Sequence, residues 1–368
     1  MSTMGTCRIC REKSSLISRE LGLCLDCIRC FPEEALEIAF GVHSRIRDGW
    51  GLPGEVPRHP EGIACDLCVN RCRIGEGGWG YCGLRKNVQG KMEGVSAAEG
   101  KLSWYHDPLP TNCVGDWVCP GGTGCGYPEY SYRKNAEYGY DNLAVFTHAC
   151  TFHCLYCQNW HFRGHTLDDK YVPVESLLAS VHQNTACICY FGGDPSPQLP
   201  YLLNASRMLR ERNEGRILRI CWETNGAMSK KLIEDVADSA LVSGGCIKFD
   251  LKSWGETLHI ALTGVTNRRT LENFERLAKW IPSRSEPPLL IASTLMVPGY
   301  IDAKEIGHIA EFIESLDPEI PYSLLAFHPD YKMTDLTATS RNQAQECLDA
   351  ARKAGLRRVR IGNTHLLW

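Results

Sequence analysis

Cys150-Thr151-Phe152-His153-Cys154-Leu155-Tyr156-Cys157-Gln158-Asn159-Trp160 is the stretch on which the reading of this chain turns. Its three cysteines are separated by three residues and then by two, just past a predicted strand at Asn142 to Thr147. A closed metal site takes four protein ligands. Three thiolates this close in sequence can hold three irons of a cubic 4Fe–4S cluster, which leaves the fourth iron open to a small molecule. The bland alternatives are a three-thiolate zinc site and cysteines gathered by chance.

Toward the C-terminus the chain alternates between strand and helix patterns. Strands are predicted near Leu143–Thr147, Ala186–Phe191, Ile217–Glu223, Ile247–Leu251, Leu289–Val297, Tyr322–Phe327 and Arg358–Ile361. Helices are predicted near Val174–Gln183, Pro200–Arg212, Lys230–Ala240, Arg269–Trp280, Ala303–Ser315 and Arg341–Ala354. Such alternation gives a parallel sheet with helices outside it. The expected fold is α/β, a partial (β/α)6-type barrel over residues 141–368, with its site at the carboxyl ends of the strands. Polar and glycine signals fall there in succession: Gly192-Gly193-Asp194-Pro195, Glu223-Thr224-Asn225-Gly226, Asp250 with Lys252, Val297-Pro298-Gly299, and His328. Taken singly, Asp250 reads as a helix cap, Lys252 as its ion-pair partner and His328 as a satisfied polar residue before Pro329.

The cysteine spacing, with an aromatic residue directly before the third cysteine, resembles the radical S-adenosylmethionine (radical SAM) superfamily. Within it, Val145 to Asn159, Thr224-Asn225-Gly226, Phe249-Asp250-Leu251-Lys252, the run His259 to Leu271 and Val297-Pro298-Gly299 look like pyruvate formate-lyase activating enzyme and its relatives. The pattern from Cys65 to Asn87, the run Phe327-His328-Pro329-Asp330-Tyr331 and the closing Ala354 to Asn363 look like the AmmeMemoRadiSam-system branch. The resemblance runs from about Cys65 to the C-terminus. It implies a 4Fe–4S cluster on Cys150, Cys154 and Cys157, SAM on the open iron, and hydrogen abstraction by a 5′-deoxyadenosyl radical. By position it implies Tyr156 near the adenine, and Gly192, Gly193 and Asp194 at the methionine amino group. Glu223, Thr224, the Lys248 carbonyl and Asp250 would stand beside a monovalent cation, and Lys252 and His328 would face SAM or the substrate entrance. Asn225 belongs to the same strand end. Two departures stand out: the family usually carries Glu where Asp194 stands and Asp where Glu223 stands.

The N-terminal 140 residues are cysteine-rich. Cys7-x-x-Cys10 and Cys24-x-x-Cys27 read as a four-thiolate knuckle, zinc or sometimes iron, in a module of residues 1–31. Its structural reading is a staple for a unit too small to have a core. A helix and linker follow over residues 32–60, opened by Pro32. Residues 61–140 form a cysteine-rich segment. There Cys65, Cys68, Cys72 and Cys82 make a second group among glycines, holding an auxiliary iron–sulfur cluster or zinc. Cys113, Cys119 and Cys125 make a looser third group, read as a metal site or as part of a long surface loop. Trp104, Tyr105 and Trp117 are candidates to line a substrate cleft.

Of the 20 cysteines, 15 lie at or before Cys157, in closely spaced pairs that are a metal-ligand habit rather than a disulfide framework. Free thiolates and clusters point to a reducing compartment, so a cytoplasmic location is expected. Met1 to Arg11 has no apolar core of the signal-peptide kind, and no long apolar run suggests a membrane span. A net charge of −3 over 368 residues gives no general pull toward nucleic acid. The expected partners are SAM, a reductant such as flavodoxin or ferredoxin, and a protein or peptide substrate. The rivals are a radical SAM methyltransferase or other modifying enzyme with a second cofactor, and a non-catalytic iron–sulfur or zinc protein for electron transfer or assembly. An electron carrier has no need of Gly192 to Pro195 or of Asp250.

Overall fold

The computed structural model describes residues 4–368. One eight-stranded sheet organises it: β1 (Leu102–Pro108), β2 (Asp141–Thr147), β3 (Thr185–Gly192), β4 (Arg219–Thr224), β5 (Ile247–Asp250), β6 (Leu290–Met296), β7 (Tyr322–Ala326) and β8 (Val359–Gly362). The strands lie side by side in chain order, β2 to β8 all parallel and β1 antiparallel on the edge. The two end strands do not pair, which is the arrangement of an incomplete β/α barrel.

Strand periodicity divides the sheet's residues between two faces. Tyr190, Trp222 and Phe249 point outward to the helical layer. The Tyr190 hydroxyl meets Ser206 at 2.9 Å on α3 (Leu199–Arg212), and Trp222 Nε1 donates to Ser239 at 3.0 Å on α4 (Lys230–Ser243). Burying Trp222 fully stabilises by roughly 1.5–3 kcal/mol, and the hydrogen bond spares its N–H a desolvation cost. Each of the seven predicted parallel strands is present, as are the six predicted helices, although Val174–Gln183 shortens to Val174–Leu178.

Two of the elements that escaped the sequence reading bear on the site. Helix α5 (Glu256–Thr263) is a short segment closed by left-handed Gly264. It has no side-chain N-cap and only two turns of periodicity to betray it. Strand β1 falls in what reads as a surface loop. Trp104 and Tyr105 therefore belong to a sheet edge, in register with Val145 and Ala144. The sheet thus begins well before residue 141.

The N-terminal modules dock on the carboxyl-end side of the sheet. Helices α1 (Leu25–Cys30) and α2 (Pro32–Asp48) pack on α5. Gly299, expected among the strand-end site residues, serves this docking instead: a Cβ there would stand 2.1 Å from the carbonyl oxygen of Leu16. Tyr300 donates its hydroxyl to Leu23 O at 3.0 Å and accepts from Ser18 N at 3.0 Å. Arg29 forks onto Asp302 at 2.9 and 3.0 Å. Among the described residues no helix is long and apolar enough to cross a membrane.

Candidate active site

The loop after β2 carries Cys150, Cys154 and Cys157, and three neighbours fix its path. Gly193 N donates to Thr147 O at 2.9 Å and Asp194 N to Ala149 O at 2.8 Å, so the turn after β3 lies against the loop's start. A Cβ on Gly193 would sit 2.1 Å from Ala149 O, and Gly192 has φ of 101° with the Phe146 ring at 2.8 Å from any Cβ. Only glycine allows this approach. Asn225 Nδ2 donates to Thr151 Oγ1 at 2.7 Å. From the other side α5 supplies carbonyls: His153 N reaches Thr263 O at 2.8 Å and Leu155 N reaches Leu262 O at 3.0 Å.

Held in this way, the three cysteines face a cavity of about 170 Å³ at the carboxyl ends of β3 to β5. Tyr156, Gly192, Gly193, Asp194, Glu223, Thr224, Asn225, Asp250 and Lys252 line it with them, so nearly every predicted strand-end residue converges on one space. His328 does not: it is exposed, and its neighbours Asp330 and Tyr331 bond to the cysteine loop from behind without lining the cavity. Asp330 accepts from Trp160 Nε1 at 2.9 Å, and the Tyr331 hydroxyl meets His153 Nε2 at 3.1 Å. A wider surface groove of about 1470 Å³ runs past Arg207 and Asp235, but it holds no cysteine and lies toward the amino end of β4.

The charges around the cavity are paired unequally. Asp194 is buried and accepts from Thr224 Oγ1 at 2.7 Å, Asn225 N at 2.9 Å and Ser196 N at 3.0 Å. It is therefore first the hub that locks the β4 end to the β3 turn; of a carboxylate's roughly four acceptor sites, one remains for an ammonium group. Burial raises its pKa and those three donors oppose the rise. Lys252 pairs with Asp250, and its ammonium lies 5.9 Å from the centre of the Tyr156 ring. Lys248 lies 3.5 Å from Glu223. Both carboxylates expected to hold a monovalent cation thus already have a lysine partner.

Sequence reasoning missed Arg163. Its side chain is buried at the cavity wall, stacks over Tyr331 at 4.8 Å, and leaves Nη1 without a hydrogen-bond partner. Burial works against its charge, while the facing Cys157 sulfur and Tyr331 hold its pKa above the ordinary arginine value. A buried guanidinium group with a free N–H fits an anionic guest. Burial pushes the Cys154 thiol up to about 12 against the pull of Lys252, and Cys150 is raised by burial and by Asp194. Three cysteines around a cavity with an orphaned cation, two of them held protonated by burial, fit a cluster whose binding displaces those protons. The only advance signal for Arg163 is a basic residue six positions beyond Cys157.

A chain of neutral groups backs the loop. His43 Nε2 faces Ala261 O at 3.1 Å, which can only accept, so His43 Nδ1 accepts from His153 Nδ1 at 2.8 Å. His153 Nε2 then accepts from Tyr331, whose oxygen accepts from Trp50 Nε1 at 2.9 Å. Burial lowers His43 to about 4 and lowers His153 as well.

The other cysteine groups part company. The sulfurs of Cys7, Cys10, Cys24 and Cys27 all lie within 4.8 Å of one another. Cys65 and Cys72 face each other across a hairpin, and Cys68 and Cys82 stand in the same local field. Their module touches the active loop, where Asn70 Nδ2 donates to Thr151 O at 2.9 Å. Cys113 and Cys119 line a second cavity, whereas Cys125 follows left-handed Gly124 out of it and points its thiol at Val118 O, 3.0 Å away. Trp117 lies in the same segment, its Nε1 donating to Ser323 at 3.1 Å rather than lining a cleft.

Residues 144–313 match the Radical SAM superfamily. An uncharacterized protein of Methanocaldococcus jannaschii is 24% identical over 311 residues, covering 82% of this chain and 81% of its own length. Pyruvate formate-lyase 1-activating enzyme of Escherichia coli is 27% identical over 195 residues, 50% of this chain and 73% of that enzyme. A solved domain of pyruvate-formate lyase-activating enzyme from Bacteroides vulgatus overlaps 48% of this chain and 98% of its own, at 22% identity and a TM-score of 0.38. Residues 144–313 form a radical SAM domain, and the chain is an enzyme.

Proposed function

We propose that the chain cleaves SAM reductively at a 4Fe–4S cluster on Cys150, Cys154 and Cys157 and modifies a protein or peptide. The single observation that carries this reading is the convergence of the three thiols with the Gly192–Asp194, Thr224–Asn225 and Asp250–Lys252 strand ends on one cavity. Bound there, cluster and SAM supply a 5′-deoxyadenosyl radical that takes a hydrogen atom from the substrate. The chain's own residues do the positioning. Arg163 offsets negative charge at Cys157. Asp194, with one acceptor site left, and the carbonyls of the glycine turn meet an ammonium group, and Lys252 offers a cation near Tyr156 for a carboxylate. We assign the countercharges of Glu223 and Asp250 to Lys248 and Lys252 rather than to a monovalent cation.

A macromolecular substrate is favoured by two facts. The pyruvate formate-lyase activating relative is named for acting on another enzyme. The two N-terminal cysteine modules stand on the carboxyl-end side of the sheet beside the cavity, where they would shape an entrance. We assign zinc to Cys7, Cys10, Cys24 and Cys27, and an auxiliary cluster to Cys65, Cys68, Cys72 and Cys82. The electron would come from a flavodoxin or ferredoxin in a reducing cytoplasm. The test is anaerobic reconstitution followed by dithionite and SAM. 5′-Deoxyadenosine is the expected product; a protein with intact cluster that makes none overturns the reading.

A further inference from the structure

The inner face of the sheet is unlike a normal barrel core. Barrel interiors are filled by bulky branched side chains. Here the inward positions of β3, β4 and β5 carry Cys187 and Cys189, Cys221, then Cys246 and Lys248, while the outward positions carry the aromatic and aliphatic residues. Cys189 stands beside Cys221 in register, and Glu223 beside Lys248. The segment from Leu109 to Gly121 plugs the barrel from the amino-end side and adds Cys113 and Cys119. Gly115 makes the close approach: a Cβ there would meet Ile291 at 2.9 Å and Lys248 at 3.4 Å. Ser323 Oγ clamps the plug through Val114 O at 2.8 Å. Between plug and strands lies a chamber of about 140 Å³, close to the ~150 Å³ that accommodates benzene. Phe191 and Glu223 form a wall shared with the SAM cavity.

Six free thiols therefore face one buried chamber. Lys248 is buried among them with Nζ 3.0 Å from the sulfurs of both Cys113 and Cys189. The same ammonium group lies 3.5 Å from Glu223, on the wall shared with the SAM cavity. The spacing of the sulfurs decides what they hold. A single tetrahedral ion with metal–sulfur bonds of about 2.3 Å needs sulfurs roughly 3.8 Å apart. The Cys7–Cys27 knuckle has that spacing, with Cys10 and Cys24 at 3.8 Å. No three sulfurs of the chamber come within 4.8 Å of one another, and neither do those of Cys150, Cys154 and Cys157. The chamber therefore lacks the spacing of a single tetrahedral ion.

We propose that the barrel interior holds an auxiliary iron–sulfur cluster, ligated by Cys113 and Cys119 of the plug and by Cys189 and Cys221 of the strands. Cys113 and Cys189 share the Lys248 ammonium at 3.0 Å each, Cys221 stands beside Cys189 in register, and Cys119 lines the chamber from the plug beside Cys113. Cys187 and Cys246 flank it; Cys187 instead points its thiol at Asn142 Oδ1, 3.3 Å away. Lys248 supplies a buried countercharge. Four thiolate ligands leave no open iron, so this cluster has no coordination position for substrate.

The test separates this cluster from the one that meets SAM. In full-length protein already carrying Cys150→Ala, Cys154→Ala and Cys157→Ala, iron and sulfide are measured after anaerobic reconstitution. Adding Cys113→Ser with Cys189→Ser is expected to remove about four irons per chain, with zinc at Cys7–Cys27 and the circular dichroism spectrum unchanged. Cys246→Ser in the same background is expected to remove none. Unchanged iron in the first variant, equal iron loss in the second, or zinc in place of iron would each overturn the proposal. Should the double variant not fold, an anaerobic crystal of the parent decides: anomalous iron scattering between β3, β4 and the plug supports the cluster, and its absence there overturns it.

Discussion

The knuckle at Cys7 to Cys27 and the loop at Cys150 to Cys157 are both thiol sites, built on opposite plans. In the knuckle the sulfurs touch one another and are themselves most of the module's small core, joined by Ile17. In the loop the sulfurs stand apart around a cavity, and the surroundings are charged: Arg163 has a free N–H, and Lys252 and Asp250 sit at the rim. On the proposed assignment the first site would be complete with one ion, and the second only with a larger anionic guest that leaves room beyond it. Sulfur spacing and unspent polar groups thus separate a structural ion from a reactive cluster.

Breaking the loop should have the largest effect. Cys154→Ala is expected to abolish 5′-deoxyadenosine formation while the zinc content stays at about one per chain; loss of both together would merge the two sites into one folding unit. The reciprocal change comes next. Cys10→Ala is expected to release zinc and open residues 4–30 to protease, since metal binding supplies roughly 10 kcal/mol or more of such a module's folding free energy. SAM cleavage should persist, because no knuckle residue lines the cavity.

Arg163→Met sharpens the contrast by removing the orphaned cation without touching a thiol. Activity or cluster retention should fall about 10- to 100-fold, the usual effect of changing a group that supports a metal ligand, and Arg163→Lys should recover part of it. A variant as active as the parent would show that the guest carries no charge toward Cys157.

The smallest effect concerns the neutral chain behind the loop. His43 is buried with its pKa lowered to about 4 from an ordinary value of 6.5. A lowered pKa contributes stability that is full above pH 6.5 and lost progressively as pH falls toward 4, because the unfolded chain takes up the proton first. The loss attributable to His43 is about 3 kcal/mol over that window. Urea unfolding midpoints at pH 6.5 and 4.5 should therefore differ less in His43→Gln than in the parent; parallel slopes would remove His43 from the account.

Much of this was written locally in the sequence. The triplet, the glycine pair after β3 and the strand-end Asp250 and Lys252 are short-range patterns tied to strand ends, and a parallel sheet necessarily brings its strand ends together. Cys7, Cys10, Cys24 and Cys27 were equally legible because a knuckle closes within one short segment. What escaped depends on long-range packing. Arg163 matters through where its side chain lands, Tyr331 three residues beyond His328 braces the loop through His153, and α5 is held by the loop it supports. The alternation in Cys187-x-Cys189 was visible, but only the plug and the register with Cys221 show that these thiols share a chamber. Strand β1 was hidden because an edge strand with one exposed face, charged at Asp107 and ending in Pro108, reads as a loop.

The most direct test of the central claim is electron–nuclear double resonance on the dithionite-reduced protein with SAM labelled in its methionine amino and carboxylate groups. A cluster held by only Cys150, Cys154 and Cys157 is expected to show hyperfine coupling to both labels, and to lose it in Cys154→Ala. A reduced cluster at this loop that shows coupling to neither label would contradict the account.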